Sequence, residues 1–461
     1  MKPYAPLATL LTAAVVRRAG FDVSVFDAML AAGVEEFASQ LERVNPAIVG
    51  ILEDNFNFLT KMCTLRMREA CCAMIGMARA RGCRVVVNGS DAKDHPDVYL
   101  AAGADAVIVG SVEDTFLELV QLWCAQPDAS PDPVAGLALP RTAPAHAGAV
   151  NGLQTEFRLT PARPALENLD ALPFPAWDLI DAEPYRRAWR SAHGRFSWNM
   201  VASRGCPYGC NWCAKPVFGR RYAQRTARNV AEEMQRLRSA VGPDHIWFAD
   251  DIFGLTPVWI RSFAEEVRRL DARTPFMIQS RANLMTAPSV AALRDAGAEE
   301  VWLGVESGSQ RILDAMEKGT TVQQIRTATR TLKANGVRVG WFVQLGYLGE
   351  EWADVLLTRD LIRSEQPDDI GVSVSYPLPG TGFHETVRRH LGAKRNWDHT
   401  GDLDMLFHGT YTAEFYRMLR DLLHDEIDSP SNTPARAGCD TAWADFARRE
   451  ADFRNPVMID A

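Results

Sequence analysis

Three cysteines crowd one eight-residue window, Cys206-Pro207-Tyr208-Gly209-Cys210-Asn211-Trp212-Cys213, at C-x3-C-x2-C spacing. Thiolates this close in sequence can grip one metal centre. A 4Fe-4S cluster takes four ligands; held by three, it keeps one iron open to a small molecule. A structural zinc site wants a fourth Cys or His nearby. The next His is His245 and the next Cys is Cys439, neither at finger-like spacing. Cys206, Cys210 and Cys213 are therefore the candidate metal ligands.

The elements that must position this window alternate strand and helix. Over residues 1–125 the pattern predicts helices at Pro6–Ala19, Glu35–Arg43, Thr60–Arg81 and Asp114–Trp123. It predicts strands at Asp22–Phe26, Ala47–Ile51, Arg84–Val87 and Ala106–Val109. Such alternation implies a parallel sheet with helices on both faces, flavodoxin- or Rossmann-like. Ligands on these sheets sit beyond the carboxyl ends of the strands, which makes the loops at 52–57, 88–95 and 110–114 the expected rim. A doubly wound domain opens with a strand, and this chain opens with a helix. In a flavodoxin-like order the first strand lies inside the sheet. Its absence would leave a gap there; either the sequence starts at an internal Met, the favoured expectation, or another segment fills the slot.

Residues 126–195 read as linker and connector, with a small hairpin around Ala135–Phe157 and an ordered stretch at Leu166–Tyr185. Residues 196–390 alternate again, with strands expected at Trp198–Ala202, His245–Ala249, Pro275–Gln279, Glu300–Val305, Arg338–Gln344 and Gly371–Ser375. Amphipathic stretches such as Thr226–Ala240 and Trp259–Leu270 lie between them. Six βα units without an early turn-back imply a partial (β/α)6 barrel of TIM type, whose C-terminal strand ends carry the chemistry. The cysteine window directly follows the first of these strands. The pattern breaks near Gly392–Arg395, and residues 391–461 form a small helical segment. Its helix is expected at Thr412–Glu426, and the polar stretch Ser429–Gly438 reads as mobile.

Composition bounds the setting. The chain has 461 residues, 47% hydrophobic and 23% charged, as an ordinary globular protein does. Fifty Lys and Arg against 58 Asp and Glu leave a net charge of −8, which offers no basic field for nucleic acid. No apolar run reaches the roughly 18 residues of a membrane span, and Met1–Leu11 lacks a signal-peptide layout. Nine cysteines, an odd count, read as reduced thiols and metal ligands, which points to the cytoplasm.

At this point the residues add up to a resemblance. Cys206, Cys210 and Cys213, with Trp212 before the third, resemble the signature of the radical S-adenosylmethionine enzymes. Phe248-Ala249-Asp250-Asp251 resembles the acidic strand end that this family places near the methionine amino group. Gly304-Val305-Glu306-Ser307-Gly308-Ser309 resembles its strand end near the ribose. Gln344 to Glu350 and Tyr376 to Thr381 resemble two further strand-end motifs. The match covers about residues 196–390. The N-terminal domain resembles the cobalamin-binding domain of one large branch of the family, through Pro6-Leu7, Phe26-Asp27-Ala28, Val49-Gly50-Ile51, Asn88-Gly89-Ser90 and Gly110-Ser111-Val112-Glu113. It departs from the usual double glycine at Asn88-Gly89 and from Gly-Glu-Gly-Glu at 110–113. It has no Asp-x-His-x-x-Gly motif, and His95 is its single His.

The resemblance implies three cofactors: a 4Fe-4S cluster, S-adenosylmethionine and cobalamin. It implies that Trp212, Asp250, Asp251, Glu306, Ser307 and Gly346 meet S-adenosylmethionine, and that Gly89, Ser90, Gly110 and Glu113 meet cobalamin. The activity implied is reductive cleavage of S-adenosylmethionine, followed by methylation of an unreactive carbon. One alternative is an oxidative cyclisation or rearrangement, as in the anaerobic porphyrin ring cyclase of that branch. Another is a radical enzyme whose N-terminal domain no longer binds cobalamin. A small-molecule or natural-product substrate and an electron donor such as flavodoxin or ferredoxin are implied as partners, with no nucleic acid and no membrane span.

Plainer roles compete for some of these residues. Asp250 and Asp251 also suit helix capping, and the glycines at 89 and 110 suit tight βα turns. Cys63, Cys71, Cys72, Cys83 and Cys124 read as small buried hydrophobes. Met62, Met67, Met74 and Met77 have the spacing of a helix core face, and His95 reads as a solvated loop residue. Tyr411, Tyr416, His408 and His424 are packing residues first and proton-donor candidates second.

Overall fold

The computed structural model describes residues 3–53, 56, 64–141, 156–213, 218–392, 403–429 and 433–456. It divides into two units. The first comprises Met1–Gly205, Lys215–Asn229 and Glu233–Ala249; the second comprises Cys206–Ala214, Val230–Glu232 and Asp250–Ala461.

In the first unit, β1 (Ile48–Leu52), β2 (Arg84–Asn88) and β3 (Ala106–Ile108) pair in parallel. β4 (Leu137–Pro140) and β5 (Phe157–Leu159) extend the sheet antiparallel, in the order β1-β2-β3-β4-β5. Successive strand residues point to opposite faces. Val85 and Val87 accordingly join one apolar layer with Ile75 and Leu100, while Val86 joins the other with Leu119 and Trp123. Both faces of β2 are buried, as a doubly wound sheet requires. The expected hairpin is present as β4–β5; its connecting residues 142–155 lie outside the described residues.

One expectation fails. Asp22–Phe26 forms no strand, and β1 stands at the end of the strand order. A strand needs a neighbour to take up its N–H and C=O groups, and no described strand pairs with this segment. Its Val23 and Val25 pack instead with Ala13, Ala14 and Ala176. The helix expected from Thr60 spans Leu65–Ala80, with residues 57–63 outside the described residues.

The six barrel-type strands fall within two residues of their expected ends. The first unit holds β6 (Ser197–Met200), the two-residue β7 (Ser203–Arg204) and β8 (Ala223–Gln224), and β9 (His245–Phe248). β6 pairs in parallel with β9, and β7 antiparallel with β8. The second unit holds β10 (Phe276–Ser280), β11 (Ala298–Glu306), β12 (Arg338–Leu345) and β13 (Asp369–Val374), paired in parallel in that order.

A repeated device starts the intervening helices. Thr226, Thr256, Thr286 and Thr321 each accept a backbone N–H from three residues ahead, and Thr321 with Gln324 completes a capping box. Each such cap is worth about 1 kcal/mol. The same chemistry corrects the reading as mobile for Thr433–Gly438; residues 430–432 of that stretch lie outside the described residues. Thr433 caps a helix at Pro434–Arg449, with Pro434 at its first turn and Cys439, Trp443 and Phe446 on its buried face. The segment is polar because its inner face begins only at Cys439.

Candidate active site

The cysteine window is launched from a fixed base in the first unit. Gly205 has φ +77°, and a Cβ there would lie 2.0 Å from the Arg221 carbonyl oxygen and 3.0 Å from that of Gly219. Only glycine tolerates both the backbone angle and the approach. Beside it, Arg204 is buried. Its guanidinium donates to Glu113 Oε1 at 2.5 Å and to Oε2 at 3.2 Å. The rings of Phe56 and Phe218 flank it, with centroids 5.6 and 4.9 Å from Cζ. Glu113, expected to face cobalamin, is thus the counter-ion of the residue two before Cys206.

In the second unit, Cys210 is buried, while Cys206 and Cys213 are partly exposed. Asn211 holds the loop between two strand-end segments: its N–H donates to the Met316 carbonyl at 3.1 Å, its carbonyl accepts from Phe383 N–H at 3.0 Å, and its amide donates to the Ala315 carbonyl at 2.9 Å. The Tyr347 hydroxyl donates to that same Ala315 carbonyl at 2.8 Å. Among the described residues, no three His, Cys, Asp or Glu side chains are grouped closely enough to hold a metal, so the thiols are not drawn into a ligand set. Their type and placement still suit an iron-sulfur cluster: three Cys on one loop, with a cation beside them. Arg281 Nη1 lies 3.5 Å from Cys210 Sγ, and its guanidinium stacks 3.8 Å from the Tyr208 ring centroid.

Of the strand ends expected to meet S-adenosylmethionine, that of β11 carries a buried ion pair. Glu306 sits at φ +65°, rare for a residue other than glycine, where the β11–β12 register shifts. Its carboxylate accepts from Lys318 Nζ at 2.6 Å, and both side chains are buried. Gly304 makes room for that ammonium, since a Cβ there would lie 2.7 Å from Nζ. The ammonium also lies 5.9 Å from the Trp212 ring. Ser307 faces inward from the motif, its Oγ accepting from Ser309 N–H at 3.1 Å. Gly346, at φ +71°, donates its N–H to Glu350 Oε2 at 2.6 Å. Burial pushes the Glu350 carboxyl up to about 8. Asp250 is buried and Asp251 exposed.

Trp212 Nε1, Thr320 Oγ1, Gln344 Oε1 and Glu350 Oε1 are among the buried polar atoms of this unit with no hydrogen-bond partner among the described residues. Buried polar atoms are nearly always satisfied, so a polar ligand suits this region. Lys318 and Arg281 are missing from the sequence reading. The available signal for Lys318 was Gly304, a glycine inside a strand that marks a close approach.

The three expected rim loops of the N-terminal sheet do come together. Glu53 accepts from Ser90 N–H at 2.7 Å and Ser90 Oγ at 3.1 Å, and the Asn88 amide donates to the carbonyls of Ile108 at 3.1 Å and Gly110 at 3.4 Å. Gly89 admits Glu53, whose Oε2 would be 2.7 Å from a Cβ. Burial pushes the Glu53 carboxyl up to about 7. Gly110 has φ +114° and open space where a Cβ would stand. His95 is half-buried.

Several packing expectations need correction. Cys124 and Met67 are exposed, since both fall on the outer side of their helices; Cys83 and Met74 are buried as expected. Cys63 and Met62 lie outside the described residues. Tyr411 and Tyr416 are buried, and His408 is exposed.

The Radical SAM superfamily matches residues 200–362. An uncharacterized methyltransferase of Pyrococcus horikoshii is 27% identical over 399 residues, covering 85% of this chain and 80% of that protein. The anaerobic magnesium-protoporphyrin IX monomethyl ester cyclase of Rubrivivax gelatinosus is 28% identical over 222 residues, 48% of this chain; the match spans 39% of the cyclase. Among solved structures, the radical S-adenosylmethionine methyltransferase TsrM of Kitasatospora setae, with cobalamin and a [4Fe-4S] cluster bound, superposes with a TM-score of 0.66. Its identity is 20%, and the alignment covers 84% of this chain and 72% of that one. The fold is therefore an N-terminal α/β domain followed by a partial TIM barrel.

Proposed function

From the premise that this chain carries a radical SAM domain, we propose that it is a cobalamin-dependent radical SAM methyltransferase acting on an unreactive carbon of a small molecule. Radical SAM enzymes take small-molecule substrates and need a reductant. Here flavodoxin or ferredoxin would fill that role, in the cytoplasm. No helix among the described residues is long and apolar enough to cross a membrane. The observation that carries the two-cofactor reading is the Glu113–Arg204 pair: it bonds the rim of the N-terminal sheet to the residue two before the first cluster cysteine. The methyltransferases of Pyrococcus and Kitasatospora support the methyl-transfer reading.

When bound, the cluster and S-adenosylmethionine supply a 5′-deoxyadenosyl radical, and cobalamin supplies a methyl group. The protein binds, orients and excludes water. Cys206, Cys210 and Cys213 would hold the cluster. Glu306 would accept from ribose hydroxyls, and the Lys318 ammonium, already turned towards Glu306, would meet an anionic group of the same ligand. Asp250 or Asp251 would receive the methionine ammonium. Trp212 Nε1 and Gln344 Oε1 offer a donor and an acceptor for the adenine. At the rim, Gly89, Ser90 and Gly110 would present backbone to cobalamin, while Glu113 serves Arg204.

A second reading has an observation of its own. The rim side chains Glu53, Ser90 and Asn88 already bond within the N-terminal sheet's own loops. That suits an N-terminal domain without cobalamin. The cyclase likeness supports a ring-forming variant of the first reading. Anaerobic reconstitution with iron, sulfide and hydroxocobalamin separates these readings. A cobalamin spectrum that survives gel filtration, with S-adenosylhomocysteine formed beside 5′-deoxyadenosine, supports methyl transfer. A protein that returns colourless at cobalamin wavelengths while still cleaving S-adenosylmethionine refutes it in favour of the second reading.

A further inference from the structure

Arg281, the residue after β10, is a buried cation with no carboxylate paired to it among the described residues. It is 5% exposed. Nε donates to Asn283 Oδ1 at 3.2 Å, one Nη donates to the Lys318 carbonyl, and Cζ lies 3.8 Å from the Tyr208 ring centroid. Its remaining polar contact is Nη1 to Cys210 Sγ at 3.5 Å, within the buried part of the cysteine window. Among the described residues no Asp or Glu forms an ion pair with it. The other buried arginines at this level of exposure behave differently: Arg204 is paired with Glu113 and Arg225 with Glu233.

Burying a guanidinium without an anion is costly. The arrangement makes sense if an anion arrives, and the atom already within reach is a thiol that metal binding would deprotonate. Hydrogen bonds and positive charge at cluster sulfurs stabilise the reduced cluster, which carries one more negative charge, and so raise its potential. Three further contacts hold Arg281 in place, so the donor is oriented before any cluster binds.

We propose that Arg281 donates to the Cys210 thiolate of the cluster and raises its reduction potential, making one-electron delivery by a weak physiological reductant feasible. This rests on the cluster reading above. Tyr208, inside the cysteine window, packs its ring against the guanidinium.

The test is an anaerobic redox titration of the reconstituted full-length chain, followed by electron paramagnetic resonance, in wild type, Arg281→Lys and Arg281→Met. Iron and sulfide are measured first. A wild-type chain that takes up neither removes the cluster reading, and this inference with it. With clusters present, Arg281→Met is expected to show about tenfold less reduced cluster at a given potential, a midpoint lower by about 59 mV for a one-electron couple. Arg281→Lys should fall between. An unchanged midpoint in Arg281→Met at full cluster content overturns the proposal. If Arg281→Met cannot be loaded, Arg281→Gln replaces it. Lys should then titrate nearer to wild type than Gln, and equal midpoints for the two overturn the proposal.

Discussion

Glu113 and Arg204 stand 91 residues apart in sequence and meet through two hydrogen bonds, with side chains only 3% and 5% exposed. The pair joins the first turn of the helix Glu113–Ala125 to β7, from which the cysteine window departs. Removing one partner leaves the other charged and buried. Glu113→Ala and Arg204→Ala are each expected to destabilise the protein by about 3–5 kcal/mol, read as a lower urea midpoint at an unchanged slope. A shift under about 1 kcal/mol in either variant would show that the pair is solvated in solution.

Gly205→Ala forces a side chain towards the Arg221 carbonyl at a left-handed backbone angle. The loop base must shift, so iron and sulfide uptake is expected to fall severalfold while far-ultraviolet circular dichroism stays native. Wild-type uptake would mean that the base of the loop does not position the thiols.

Lys318→Met leaves Glu306 buried without its cation. Two effects are expected together: a stability loss of about 3–5 kcal/mol, and S-adenosylmethionine binding at least about tenfold weaker by equilibrium dialysis. The double variant Lys318→Met with Glu306→Gln should regain much of the stability and none of the affinity. Recovery of both would mean that the pair is purely structural.

His245 gives a pH dependence with a definite sign. It is buried on β9, with its Nδ1 2.9 Å from Ser197 Oγ, and burial chiefly, with Arg195 adding, pushes its pKa down to about 3. The unfolded chain titrates near 6.5. The folded state therefore binds fewer protons between these values. This contribution to stability is fully present above about pH 6.5 and is lost as pH falls towards 3, at up to about 1.4 kcal/mol per pH unit. His245→Gln should flatten this slope in urea titrations at pH 4–7, and a variant with the wild-type slope would contradict the assignment.

Sequence carried the strands of the partial barrel because their apolar runs are bounded by Thr caps and glycines, signals local to each segment. Cys206, Cys210 and Cys213 were legible as candidates because the chemistry assigned to them depends on spacing within one loop. The sequence reading missed Lys318 and Arg281, whose meaning lies in partners on other segments: Glu306 twelve residues back, and Cys210 across the second unit. The Arg204 partner of Glu113 was not legible, because position at a strand end says where a side chain lies and not what faces it. Asp22–Phe26 has strand-like residues and no neighbour in the sheet, so propensity alone misled.

The central claim is that the three-cysteine loop holds the cluster at which S-adenosylmethionine is cleaved. The most direct measurement is 5′-deoxyadenosine, quantified by mass spectrometry after anaerobic incubation of the reconstituted chain with S-adenosylmethionine and a strong reductant. Wild type should form it, and Cys210→Ala should form none above the protein-free control. A Cys210→Ala variant that forms it at the wild-type rate would contradict the account.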